Sequence, residues 1–98
     1  MASACPPVGT LCRMPIISRF LGITITMYYV DHGVPHFHAA YGDHEISVEV
    51  RSRIVHGSFP PRALRHVLEW AEQHTTELLA DWERARRGEP LERIAPLE

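Results

Sequence analysis

His36 and His38 stand two residues apart in the segment VPHFHAAY, and a carboxylate and a further imidazole, Asp31 and His32, precede them. With His44 included, the stretch from Asp31 to Glu45 holds four of the seven histidines in the chain. Imidazole titrates near neutrality and exchanges protons readily. It also binds divalent metals such as zinc through a neutral ring nitrogen, usually beside a carboxylate. These residue types therefore suit a metal site built from Asp31, His32, His36 and His38, or an acid/base site, or a polar surface that a partner reads. Exposed strand histidines that do no more than pair with a glutamate are the alternative to all three.

Which of these applies depends on where the side chains point. GITITMYYV alternates, with Ile23, Ile25, Met27 and Tyr29 on one side and Thr24, Thr26 and Tyr28 on the other, as expected of a half-buried strand. DHGVP reads as a loop, because Gly33 and Pro35 interrupt it. HFHAAY and HEISVEV flank Gly42-Asp43, a two-residue turn signal, and so form a hairpin. In that register Ala39 faces Ile46 and Phe37 faces Val48 on the core side. His38 faces Ser47 and His36 faces Glu49 on the other side, since side chains alternate strictly along a strand. RIVHG supplies a fourth strand. A tight turn at Ser52-Arg53 would set Val55 against Val50 and His56 against Glu49, placing one carboxylate between two imidazoles on three adjacent strands.

Pro60 and Pro61 suit a helix start. From Leu64 to Arg87 the apolar residues Leu64, Val67, Leu68, Ala71, Leu78, Leu79, Trp82 and Ala85 recur at three and four, which gives one buried stripe. Thr75 and Thr76 are weak helix formers and mark a kink or break, and Gly88 ends the helix. Trp82 belongs to the stripe, whereas Trp70 is expected to be partly exposed and available to a partner. The fold class is α+β: a small antiparallel sheet of three to four strands, with one long or two short C-terminal helices packed on one face. His44 beside the turn, and His66 and His74 on the helix, carry less weight as site residues. The arginines at 62, 65, 84, 86 and 87 alternate with glutamates at 69, 72, 77 and 83, which describes a mixed solvated face.

Ninety-eight residues make one domain, expected over 14–98, preceded by a flexible Pro/Gly-punctuated leader over 1–13 that contains both cysteines, Cys5 and Cys12. Met14 looks like a natural start. The net charge of -2 gives no nucleic-acid signature, and all ten cations are arginine. No apolar run is long enough for a membrane span and the leader does not read as a secretory signal, so a cytoplasmic protein without a membrane partner is expected. No Gly-rich phosphate loop, nucleophile elbow or Cys-x-x-Cys pair is present.

MPIISRFLGITITMYYVDHGVPHFHAAYGDHE, together with the helical segment from Pro60 onward, resembles the small bacterial family catalogued as domain of unknown function 4160. In that family the loop usually reads Asp-His-x-Pro-Pro-His-Phe-His; Val34 stands here in place of the first proline, with Asp31, His32, His36 and His38 retained. The resemblance implies a stand-alone small protein often encoded beside another, as in toxin-antitoxin or regulatory pairs. It implies no activity. The expected function is thus a binding or regulatory component of a two-gene module, using the His36/His38/Glu49 face. The alternatives are a small ribonuclease-like toxin, with His36 or His38 as base and acid, Glu49 as a further catalytic candidate and Arg19 or Arg51 on phosphate, or a divalent-metal protein. A neighbour-encoded protein is the expected partner; self-association and nucleic acid stay open.

Overall fold

The computed structural model describes residues 15–29 and 33–97, so the leader, both cysteines and the loop residues Asp31 and His32 lie outside the described residues. Five strands follow in chain order: β1 (Ile16–Phe20), β2 (Ile23–Thr26), β3 (His36–Tyr41), β4 (His44–Glu49) and β5 (Val55–Gly57). Each pairs antiparallel with the next in a single five-stranded meander. Two helices follow, α1 (Pro61–Gln73) and α2 (Thr75–Arg86). The α+β class is as expected, with one strand more than the sequence signalled.

The extra strand is β1. It joins β2 through Leu21-Gly22, with φ of 52° and 79°, a turn in which both central residues are left-handed. A bulge between Ile16 and Ser18 interrupts the β1–β2 register, and Ile17 and Ser18 are consequently both buried. The β3–β4 hairpin turns at Gly42, with φ 59°, and pairs Phe37 with Val48, Ala39 with Ile46, His38 with Ser47 and His36 with Glu49, as the alternation requires.

The β4–β5 connection departs from expectation. Glu49 N–H donates to the Ile54 carbonyl and Arg53 N–H to the Glu49 carbonyl, closing a loop over residues 50–53 with Arg53 at φ 62°. The two-residue turn at Ser52-Arg53 is therefore incorrect. His56 opposes Ser47 and Val55 opposes Val48. The shift is by two residues, an even number, so His56 stays on the predicted face.

The core lies between the inner face of the sheet and the helices. Phe37, Ile23, Ile25, Met27, Ile46 and Val48 are fully or almost fully buried from the sheet side, as are Val67, Trp70, Ala71 and Leu78 from the helices. The helical stripe breaks at His74, with φ -125° and ψ 28°. There Arg53 donates through Nη2 to Thr75 Oγ1 at 2.8 Å, tying the β4–β5 loop to the helix junction. Trp70 is not available to a partner. It is 0% exposed, with Phe20 at 5.5 Å and Phe37 at 5.7 Å between ring centroids, and its Nε1–H donates to the Ala95 carbonyl. Ile94 N–H also donates to the Ile17 carbonyl, so the segment after α2 lies along β1 and closes that edge of the sheet. No helix among the described residues is long and apolar enough to cross a membrane.

Asp81 is fully buried on α2. Its Oδ1 accepts from Arg84 Nη1 at 2.8 Å and from the Glu92 amide at 2.9 Å, which anchors the returning tail. Burial pushes its carboxyl above the ordinary range, partly offset by the Glu92 amide and Arg84. Asp81→Ala strands both donors and is expected to lower unfolding free energy by about 1–3 kcal/mol. A reduced urea midpoint, with faster amide exchange at Glu92 and Ile94, is the measurable outcome; an unchanged midpoint would show that the tail docks without this carboxylate.

Candidate functional site

On the sheet face opposite the core, β3, β4 and β5 bring His36, Ser47, Glu49 and His56 together around an open depression of about 250 Å³ that Gly33 and Val34 border. Glu49 is its centre. Ser52 Oγ donates to Glu49 Oε1 at 2.8 Å, and His56 Nε2 lies 3.0 Å from Glu49 Oε2. Ser52 Oγ in turn accepts from the Ile54 amide at 3.2 Å, so the loop after β4 folds back to hold the carboxylate. A carboxylate oxygen can only accept, so the His56 Nε2 carries a proton and its Nδ1 is left for another contact. The hydrogen bond from His56, then that from Ser52, holds the Glu49 carboxyl below its ordinary range.

His36 flanks the carboxylate on the other side, directly across the β3–β4 ladder. Its Nδ1 is 2.8 Å from the Val34 carbonyl, which only accepts, so Nδ1 carries a proton. The ring also lies 5.1 Å from Trp82 of α2 and 5.3 Å from His38. The expectation that both histidines face wholly away from the helices is thus modified at His36, where α2 reaches the end of the sheet.

His38 behaves differently. Its ring stacks on Tyr28 at 4.3 Å, and its Nε2 is closed off from solvent. It packs edge-on against His36 and does not line the depression. His44 is exposed beside the β3–β4 turn, and His74 lies against Glu77 and Trp70. Arg19 and Arg51 are both exposed, Arg19 on β1 and Arg51 in the β4–β5 loop, so neither faces the depression as a lining residue. Ser52 is the site residue that sequence reasoning missed. Its signal is local: a serine three residues after a glutamate in a loop, where the short hydroxyl side chain bonds nearby polar groups.

Among the described residues, no group of three His, Cys, Asp or Glu side chains converges as a metal-ligand set. Two members of the sequence-derived set, Asp31 and His32, lie outside the described residues. What the described geometry offers is an ordered carboxylate flanked by two imidazoles, one of them bonded to it.

Fold and site together define a small α+β domain with a polar histidine–glutamate face on an antiparallel sheet. The family model described as a domain of unknown function (DUF4160) matches residues 22–83, more than half of the chain, and the chain belongs to that family. The match runs from β2 into α2 and takes in every residue of the depression. Comparison with curated proteins and with solved structures returns no match.

Because His56 is the main cause of the lowered Glu49 carboxyl, His56→Ala is expected to raise the Glu49 titration towards its ordinary value of 4.5, and Ser52→Ala to raise it less. Carboxyl ¹³C chemical shifts followed against pH read both variants. In the parent protein a carboxyl held down in the fold adds stability above its ordinary value and loses it as pH falls through the folded value. A Glu49 titration indifferent to His56 would show that the pair does not persist in solution.

Proposed function

We propose that the chain is a binding or regulatory protein that recognises a small partner protein encoded by a neighbouring gene, through the face formed by His36, Ser47, Glu49 and His56. The observation that supports this most directly is the Glu49–His56 pair at 3.0 Å, set in an open depression. The His56 side chain keeps 61% of its surface exposed, so the pair is ordered but solvated. Water-excluding enclosure, which strengthens catalytic electrostatics, is not what these residues supply, whereas a pre-ordered polar row on a rigid sheet lowers the entropic cost of recognition. An ordered carboxylate flanked by imidazoles suits a partner with a polar surface best.

One observation favours a second reading, acid/base cleavage of RNA: His36 stands directly across the β3–β4 ladder from Glu49, with its Nδ1 against the Val34 carbonyl. On that reading His36 and His56 take the acid and base roles and His38 positions His36. A metal held by Asp31, His32, His36 and His38 is the third reading, and near-unit metal content of the untagged protein is the result it requires.

Co-expression with the neighbouring gene product is expected to yield a complex in which amides over 33–36, 47–49 and 54–57 exchange more slowly. Glu49→Ala and His56→Ala are each expected to weaken that complex by about tenfold or more, as when a charge-assisted hydrogen bond is lost. Failure to co-purify, or a complex indifferent to both changes, would overturn the binding reading. Cleavage of RNA in chelator that disappears in His36→Ala would replace it with the enzymatic one.

A further inference from the structure

A second concavity lies at the other end of β3, between the β1–β2 turn and the first two turns of α1. It encloses about 280 Å³ and is lined by Leu21, Ile23, Tyr41, Ala63, Arg62 and His66, with Pro60 at its edge. Tyr41 is separated along β3 from His36 by the length of the strand, so this cleft shares no lining residue with the histidine face.

Three observations show a site with an apolar floor and a basic rim. First, the walls are apolar and held in place. Ile23 is fully buried and Ala63 nearly so, while a Cβ at Gly22 would come within 3.2 Å of Tyr41 Cε1, so the tyrosine ring rests against the turn. Second, Leu21 is costly in two ways at once. It adopts φ 52°, a region that disfavours a bulky side chain, and it leaves 60% of its surface exposed at the rim. A local choice with no internal benefit points to a role outside the fold.

Third, the polar groups on the helical wall lack partners. Arg62 and His66 are four apart and so share one face of α1. No carboxylate among the described residues lies within ion-pair range of Arg62, and the first turn of α1 carries no acidic residue. His66 Nδ1 is shielded from solvent with no hydrogen-bond partner. The Arg62 guanidinium is exposed at the mouth of the cleft, so an anionic ligand group can reach it.

We propose that this cleft binds a small carboxylate carrying one apolar group of about ring size. The apolar group sits on Ile23 and Ala63 between Leu21 and Tyr41, and the carboxylate pairs with Arg62, whose planar fork suits two oxygens. His66, one turn further along α1, lines the same wall. The volume limits the apolar part to a single ring or branched chain, since pockets for larger ligands begin at about 300 Å³.

The test is titration of the ¹⁵N-labelled full chain with phenylacetate, and with 2-phenylethanol as a neutral counterpart of similar shape. Phenylacetate is expected to give saturable shifts at Leu21, Gly22, Tyr41 and Arg62 to His66, with residues 36, 49 and 56 unmoved. Arg62→Gln, an exposed position whose change leaves the core intact, is expected to weaken binding by about tenfold, and 2-phenylethanol to bind the parent protein correspondingly weakly. His66→Gln is expected to weaken it less. Absence of saturation at large excess, equal affinity for the neutral compound, undiminished binding to Arg62→Gln, or shifts confined to the histidine face would each overturn the proposal.

Discussion

Trp70 joins three parts of the molecule at one point. Its ring packs against Phe20 of β1 and Phe37 of β3, and its Nε1–H is satisfied by the Ala95 carbonyl of the returning tail. The phase of β3 follows from this contact. With Phe37 committed to the indole, the residues on either side of it must take the opposite face, and a slip of one residue would bury two imidazoles in an apolar layer. Removing an aromatic ring of this size from a core costs about 3–5 kcal/mol, a large share of the roughly 5–15 kcal/mol available to a domain of this length. The histidine face is therefore a consequence of core packing on the other side of the sheet.

The same logic explains why some of the structure can be read along the chain and some cannot. The β3–β4 hairpin is legible because Gly42-Asp43 marks the turn and the strands alternate cleanly, which fixes His36 against Glu49 without further information. β1 is obscured because its bulge buries Ile17 and Ser18 in succession, breaking the period of two, and because leucine occupies a left-handed turn position normally left to glycine or asparagine. The β4–β5 register fails for a related reason: Arg53, not a glycine, takes the left-handed position, so the loop over 50–53 has no composition signal.

Long-range satisfaction is the other gap. Trp70 falls on the stripe that Ala63 and Val67 also occupy, yet only the tail that returns twenty-five residues later closes its outer side. Asp81 reads as a surface helix residue until the Glu92 amide, eleven residues on, is seen to need its oxygen. At the site, Glu49 and His36 emerge from strand alternation, but Ser52 and the approach of Trp82 depend on a loop and a helix whose paths no strand pattern dictates.

The two imidazoles beside Glu49 are held to different degrees, and that difference bears on what the surface can do. His36 is fixed by its Nδ1 contact to Val34, by Trp82 on one side and by His38 on the other. His38 stacks on Tyr28 and lies edge-on to His36. His56 is tied chiefly through Glu49 Oε2, and its ring is mostly solvated. Glu49 itself is already ordered by Ser52, so immobilising His56 on binding costs the entropy of one short side chain and not of two. A fixed imidazole and a more mobile one on either side of one ordered carboxylate can meet a polar group whose position varies by more than a single rigid pair would tolerate. On the binding function proposed above, such tolerance suits a protein surface, whereas bond-breaking demands sub-ångström alignment.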